Sequence, residues 1–349
     1  MPSITVVIPT YNNAPYLASA IDSILAQGFT DYEIVVVDDG STDATPEVLE
    51  PYKQRIRYHH QRNQGLAVAR NVGLALAAGE FVTYLDGDDM MLPSNLGWKH
   101  AALVRRNELG GVFSDFEVFN DHGTQHRRGM PKTFGYFQRT GRTVAEIFAH
   151  REELVDARSE QRQFYHGEVF DQLFLGNFIL PSTMVFRKQF AEEVGQFVPE
   201  LRTQQDYEYW LRFARRRPFG FIDDVLVRYR RHSRQLTDKS NIVRVIETSL
   251  GIIAGYEHDF AQRGQKTTFN QRKAAMLQNL AKAYLAAHRN RDARRVLTEA
   301  LKRDPGLSNG VFYLLSLLPG SLVSTVYEAS ARRRSIAGGG GRRSPGSVN

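Results

Sequence analysis

From Ile4 to Phe113 short β-prone runs alternate with helix-patterned segments, a rhythm that few architectures accommodate. Residues 4–9 (ITVVIP) are β-branched and continuous, as a buried strand is, and Pro9 stops the run. A helix is expected from about Pro15, because Leu17, Ala20, Ile21, Ile24 and Leu25 fall on one face, with Asn13 a candidate cap and Gly28 a stop. A second strand is predicted over 33–37, a helix over 43–54 and a third strand over 56–60. A small-residue helix over 65–78, a fourth strand over 80–85, a helix over 93–109 and a strand near Val112 and Phe113 complete the series. Such alternation implies right-handed crossovers and a mostly parallel sheet flanked by helices, an α/β fold.

The fourth strand runs straight into Asp86-Gly87-Asp88-Asp89, three carboxylates within four residues. Crowded like charges raise one another's pKa in a low-dielectric cleft. Either these acids are solvated turn residues, as Asp and Gly often are, or a cation offsets them. Two more polar clusters, Thr10 to Asn13 and Asp38 to Ser41, also follow strand ends. In parallel sheets the carboxyl edge of the strands is where ligands bind, so the three together indicate a site.

Composition narrows the classes further. At 349 residues the chain can bury a sizeable core, and 42% hydrophobic with 24% charged residues is ordinary for a folded protein. There is no cysteine, which excludes disulfides and thiolate metal sites. The net charge of +7 owes five charges to Arg332, Arg333, Arg334, Arg342 and Arg343, leaving +2 elsewhere. No globally basic surface or base-reading motif indicates a nucleic-acid partner. Apolar periodicity begins at Ile4 without a basic leader, so no signal peptide is expected. The apolar stretch 311–326 is interrupted by Pro319 and Gly320, too broken for a membrane span.

Beyond residue 115 the pattern is weaker. Residues 121–123 have turn composition, 125–128 are polar, and two helical stretches are expected before Phe178. Residues 178–186 suggest a loop entering a strand, Asp206 opens a helix that buries Trp210, Leu211 and Phe213, and 219–229 is β-like. From Asn241 the pattern is helical; residues 277–301 resemble one tetratricopeptide-like hairpin, but bundled helices packed on the α/β part are the expectation. The Gly/Ser/Arg-rich end is expected to be disordered.

VVIPTYNN (6–13), VVVDDGSTD (35–43), NQGLAVARNVG (63–73) and YLDGDD (84–89), in this order and spacing, resemble a family 2 glycosyltransferase of the GT-A fold. The likeness covers the nucleotide-binding half and thins after about residue 115. It implies four parts: a nucleotide-sugar-binding half over 1–115, an acceptor-binding and catalytic half over 116–235, a helical region over 236–330 and a basic tail over 331–349. The implied reaction is metal-dependent, inverting transfer of a hexose-type sugar from a nucleotide-diphosphate sugar, a UDP-sugar foremost, to a glycan or lipid-linked hydroxyl. Surface polysaccharide or glycan assembly on the cytoplasmic side is the expected setting. The apolar residues 311–327 with the arginines that follow are expected to pack against the helical region, with peripheral contact at an anionic membrane surface the alternative.

The resemblance assigns residues, and their chemistry agrees. Pro9, Thr10, Tyr11 and Asn12 would frame the nucleotide, Tyr11 stacking on a uracil-type base and Asp39 accepting from its N–H. Asn63, Gly65 and Arg70 would line the donor site, although Arg70 could instead be a surface arginine salt-bridged to a cluster acid. Asp86, Asp88 and Asp89 resemble the DxD motif, which holds Mn²⁺ or Mg²⁺ against a diphosphate; Asp88 is the foremost metal ligand and Asp86 is placed nearer the ribose. Asp206, in QQDYEYWLR where the family usually has Glu-Asp, is the implied base, with Glu208 second; the competing role for Asp206 is an N-cap. Arg230 would grip phosphate and His232 add a metal ligand, unless 230–233 is simply a basic surface turn. Residues 181–183 match the loop before the acceptor-side strand. Two other classes remain, a nucleotidyltransferase and a non-catalytic scaffold using the helices; TYNN lacks the former's glycine-rich basic loop, and the intact acids argue against the latter.

Overall fold

The computed structural model describes residues 1–156, 159–233, 235 and 241–317. The chain divides into Met1–Gln235 and Leu236–Asn349. In the first unit, β1 (Ile4–Thr10) is buried along its whole length. It lies parallel to both β2 (Tyr32–Asp38) and β4 (Phe81–Tyr84), and β2 is parallel to β3 (Arg57–His60). Register aligns Thr10 with Asp38 and Val7 with Tyr84, so the three strands end at one edge with their polar clusters side by side.

Helix α1 (Ala14–Leu25) buries Leu17, Ala20, Ile21 and Ile24 as its periodicity requires. Asn13 stands at its N-cap position but makes no capping bond; the Ala14 N–H goes to Asp43 instead, at 3.1 Å. The helix expected over 43–54 is shorter: α2 (Thr45–Leu49) gives way to a 3₁₀ turn, Glu50–Tyr52. Pro51 is the reason, since it has no N–H to continue the ladder. Helix α3 (Leu66–Leu76) presses close on the sheet at Gly73, where a β-carbon would stand 2.2 Å from Val7 Cγ1.

After β5 (Met90–Met91) and α4 (Asn95–Arg105), the chain adds β6 (Gly111–Asn120), which turns through 121–122 into β7 (Gly123–His126). Helices α5 (Met130–Thr133) and α6 (Gly135–Thr140) follow, then a hairpin of β8 (His150–Val155) and β9 (Gln161–Gly167), then α7 (Phe170–Leu175). The β8–β9 hairpin stands where the sequence suggested only helices. Its strands, HREELV and QRQFYHG, are half polar because the hairpin lies at the sheet edge. A 3₁₀ turn (Pro181–Thr183) leads into β10 (Val185–Arg187); α8 (Lys188–Val194), α9 (Gln205–Ala214) and β11 (Phe219–Arg230) close the unit. The sheet order is β3-β2-β1-β4-β10-β6-β11-β9-β8. Strand β10 is antiparallel to both β4 and β6, while β11 runs parallel to β6. This is the expected α/β sheet flanked by helices.

The second unit contains α10 (Ile242–Ala254), α11 (Glu257–Gln262), α12 (Lys266–Ala286), α13 (Asn290–Arg303) and α14 (Leu307–Leu315). Ala274, Leu277, Leu280, Ala281 and Tyr284 of α12 interlock with Ala293, Val296, Leu297 and Ala300 of α13. Val243, Ile246 and Leu250 of α10 and Phe312 and Tyr313 of α14 pack against them, so this is a bundle rather than an isolated hairpin. No helix among the described residues is long and apolar enough to cross a membrane. The apolar stretch beyond Leu317 and the basic tail over 331–349 lie outside the described residues.

Candidate active site

The site forms where β1, β2 and β4 end together. Tyr11 stands 48% exposed just past β1, its ring free to stack. Pro9 and Thr10 are buried, and the Thr10 hydroxyl has no partner. Asn12, in the left-handed region at φ 53°, is tied to the β2 loop: its N–H donates to Ser41 Oγ and its Oδ1 accepts from the Thr42 N–H at 2.8 Å. Asp39 is buried and accepts from Gln61 Nε2, the Gln64 N–H and the Gly65 N–H, at 2.7, 2.9 and 2.7 Å. This lashes the β2 end to the start of α3. Gly40 (φ +79°) permits the approach, since a β-carbon there would meet the Asn63 backbone nitrogen at 2.8 Å. The Asn63 residue itself is exposed at the rim.

Arg70 is not a surface residue. It is 2% exposed, donates from Nη2 to Asp86 Oδ1 at 2.8 Å, and lies over the rings of Tyr84 and Phe197. Its Nε is buried without a partner. Arg70 does pair with a cluster acid, and it does so from the interior, its side chain 3% exposed against 28% for Asp86.

The three acids have different surroundings. Asp89 is 1% exposed and fully engaged: Ser182 Oγ donates to its Oδ2 at 2.6 Å and the Arg230 N–H to its Oδ1 at 3.1 Å. Burial pushes its carboxyl well above the usual range, with Asp88 and Asp86 adding to the shift. Ser182 Oγ also accepts from the Asp86 N–H at 3.2 Å, so one hydroxyl fixes both ends of the acidic loop. Asp88 Oδ2 and His232 Nε2 are 2.9 Å apart, facing each other across the loop. Burial raises the Asp88 carboxyl and Asp86 raises it further, while His232 opposes the shift. Arg230 donates from Nε to the Asp88 carbonyl at 3.0 Å and is held over the rings of Tyr16 and Phe119. Arg230 and His232 are thus built into the acidic loop, while Arg231 between them is exposed.

Among the described residues no group of three or more His, Asp or Glu side chains converges as a preformed metal cage. The donor set nevertheless suits a hard divalent ion: one carboxylate and one imidazole meet at Asp88 and His232, leaving most positions for phosphate oxygens and water. Asp89, each oxygen already accepting one hydrogen bond, and Asp86, paired with Arg70, belong to the same loop.

Asp206 lies in the first turn of α9. Gln204, not Asp206, occupies the N-cap position, and no side-chain capping bond is made there. Asp206 Oδ2 accepts from Asn177 Nδ2 at 3.2 Å, and Asn177 Oδ1 accepts from the Ile179 N–H at 3.0 Å. Burial pushes the Asp206 carboxyl above its ordinary range; the Arg70 charge opposes this and Asp86 adds to it. Glu208 is instead clamped by Arg212 of the next turn, at 2.6 and 2.8 Å. A carboxylate with a raised pKa, one orienting amide and a nearby arginine can accept a proton near neutral pH.

Two contributors escaped sequence reasoning. Asn177 follows a glycine in a loop of no special composition. Tyr16, on α1, packs against the His232 ring at 4.7 Å between centroids, tilted by 36°, a contact between residues far apart in the chain. Only a three-dimensional arrangement gives either a signal.

Comparison with known proteins identifies the fold and the family. The family model described as "Glycosyl transferase family 2" matches residues 5–194. An uncharacterized glycosyltransferase of Rickettsia felis is 28% identical over 241 residues, 68% of this chain and 36% of that protein. The glycosyltransferase GlyG of Streptococcus pneumoniae is 28% identical over 234 residues, covering 66% of this chain and 71% of its own. The chain spans 36% and 35% of the length of two Rickettsia relatives, those of R. felis and R. conorii. Among solved structures, S. aureus TarS 1–349 in complex with UDP-GlcNAc superposes with a TM-score of 0.56 at 19% identity, over 87% of this chain and 81% of that one. The mannosyltransferase PcManGT from Pyrobaculum calidifontis, in complex with GDP-Man and Mn²⁺, gives 0.53 at 18% identity, over 93% and 86%.

Proposed function

The chain belongs to glycosyl transferase family 2, and from that membership we propose a metal-dependent, inverting transfer of a hexose-type sugar from a nucleotide-diphosphate sugar to a hydroxyl acceptor. A UDP-sugar is the proposed donor, and a glycan or lipid-linked alcohol on a surface-polysaccharide pathway the proposed acceptor. What supports this reading is the presence of two devices. A carboxylate–imidazole pair, Asp88 and His232, stands in the loop after β4, and a carboxylate of raised pKa, Asp206, lies within the fields of Arg70 and Asp86, which are bridged to each other in that loop.

In this proposal residues 1–115 bind the donor and 116–235 bring the acceptor. Tyr11 stacks on the base and Asp39 accepts from its N–H. Asp88 and His232 would hold Mn²⁺ or Mg²⁺, which supplies positive charge to the departing diphosphate. Arg70 keeps Asp86 in place at the donor, and Ser182 keeps the acidic loop from relaxing. Asp206 Oδ2 takes the proton from the acceptor hydroxyl. The acceptor oxygen then bonds to the anomeric carbon as the bond from that carbon to the phosphate oxygen breaks, and configuration inverts. Burial of Asp206 favours the protonated product of that step, which is what a base at neutral pH requires.

Peripheral membrane contact belongs to the same proposal. Val311, Leu314 and Leu317 are 52%, 64% and 53% exposed at the end of the helical unit. Liposome flotation of the full chain tests it, and failure to float with anionic vesicles would end it.

The catalytic reading is tested by thermal shift against nucleotide sugars with and without Mn²⁺, followed by product stereochemistry. The proposal expects stabilisation by at least one nucleotide sugar only with metal, and a product of opposite anomeric configuration. Retention of configuration would overturn the in-line mechanism.

A further inference from the structure

Between Asp121 and Glu146 the chain carries no acidic residue, yet it carries Arg127, Arg128, Lys132, Arg139 and Arg142. The whole chain sets 45 lysines and arginines against 38 acids, so a run of this length with one sign of charge stands apart. Runs of like charge are commonly solvated and unfolded. This one is folded: it contains β7, α5 and α6, and it buries Met130, Tyr136 and Phe137.

Two of the five cations are used within the fold. Arg128 bridges Asp223, with Asp115 at 3.7 Å, and Arg139 Nη2 donates to the Leu175 carbonyl at 2.9 Å. Arg127, Lys132 and Arg142 are exposed and bridge no carboxylate among the described residues, nor does the exposed Arg231. Arg106, Arg187, Arg212 and Arg217 of the same unit each do.

The segment is anchored at both sides of the site. Phe134 meets Phe116 edge-on at 6.1 Å, and Phe116 meets Tyr229, the residue before Arg230, at 5.8 Å. Arg231 lies over that same Tyr229 at 5.4 Å. At the other end Tyr136 lies 5.2 Å from Phe178, and Arg139 holds Leu175. Between Leu175 and Phe178 stands Asn177, whose amide donates to Asp206. The basic segment thus runs from the strand that ends in Arg230 to the loop that orients Asp206.

We propose that the acceptor is a polyanion, a glycan or polyol chain bearing phosphodiester or carboxylate groups, held along Arg127, Lys132, Arg142 and Arg231. This rests on the transfer reading above and names the class of its acceptor. The donor diphosphate and the acids of the site repel an anionic chain, and cations along its approach reverse that field. A neutral acceptor has no use for them. Exposed ion pairs are individually weak, so a chain with repeated charges gains what a single anion does not.

The test is calorimetric titration of the full chain, without metal, with dextran sulfate, polygalacturonate and neutral dextran. The sulfate ester stands in for a phosphodiester, and whichever charged polymer binds more tightly names the anionic group. Arg127→Ser/Lys132→Ser/Arg142→Ser is expected to lose about 10-fold or more on the charged polymers. Its log affinity should fall less steeply with log salt, by about 2 in slope for three lost contacts. Arg332→Ser/Arg333→Ser/Arg334→Ser removes the same charge from the tail and is expected to change little. Equal loss in the two triple variants would make the binding a property of net charge and overturn the proposal. No preference of wild type for charged over neutral dextran would overturn it too. So would a segment variant that loses flotation with anionic vesicles while keeping polymer affinity, since the patch would then face a membrane. UDP titration with Mn²⁺ keeps the two readings apart: the segment variant should bind UDP as wild type does, and a wild type that binds no nucleotide removes the transfer reading itself. The three substituted side chains are exposed and bridge no acid among the described residues, so an unchanged melting temperature is expected.

Discussion

Replacing Asp206 by asparagine separates chemistry from binding and from stability in one variant. The substituted side chain keeps the shape and an oxygen for Asn177 Nδ2, which in the wild type donates to Asp206 Oδ2 at 3.2 Å. What is lost is the ability to take a proton. Removal of a positioned general base costs about 10²- to 10⁴-fold in rate, equivalent to about 3–5 kcal/mol of transition-state stabilisation. Donor affinity should be unchanged, because Asp206 makes no hydrogen bond to Asp39, Asp86, Asp88 or His232 among those described. Stability should move the other way. Burial and the Asp86 charge raise the Asp206 carboxyl in the folded state, so the native protein binds that proton more tightly than the unfolded chain does. Wild-type stability thus carries a penalty at pH 7 that fades as pH falls through the raised folded-state pKa. Asp206→Asn is therefore expected to melt higher than wild type at pH 7, the difference closing toward acid. Nucleotide release under saturating donor and acceptor, UDP titration and differential scanning calorimetry read the three quantities. Turnover within tenfold of wild type would refute the base assignment, and loss of UDP affinity would refute the separation of donor from base.

The acid limb of kcat/KM should lie above the ordinary aspartate range, and Arg70→Met should move it to still higher pH, because the Arg70 charge is what opposes the upward shift of Asp206; a limb that stays put places the base elsewhere. Ser182→Ala leaves Asp89 Oδ2 buried without its donor, and urea unfolding should show a loss of about 1–3 kcal/mol; Ser182→Thr should recover part of it. Gly73→Ala should destabilise despite the better helix former, by about 1–3 kcal/mol on overpacking, since the new β-carbon meets Val7 Cγ1 at 2.2 Å. A stabilised Gly73→Ala variant would contradict the close packing of α3 on β1.

The half of the fold ending near Phe113 was legible because buried parallel strands are continuous apolar runs and their helices keep one apolar face. Strands β8 and β9 were not. At a sheet edge one face is solvated, and HREELV and QRQFYHG carry too many polar residues for an apolar alternation to separate them from helix. The site divided in the same way. Asp39, Asp86, Asp88 and Asp89 stood out because three polar clusters follow strand ends in one parallel pattern. Their distinct surroundings did not: that Asp89 is enclosed by Ser182 and Arg230, and that Asp88 meets His232, depends on segments brought together only when β10 docks beside β4 and β11 beside β6. Asn177 and Tyr16 have no compositional signature, and each meets a partner distant in sequence.

The most direct measurement is a crystal structure grown with UDP and Mn²⁺, with diffraction collected at the manganese absorption edge. An anomalous peak bonded to both Asp88 and His232 and to diphosphate oxygens, with the base between Tyr11 and Asp39, is the predicted result. Manganese bound away from that pair, or UDP seated away from the ends of β1, β2 and β4, would contradict it.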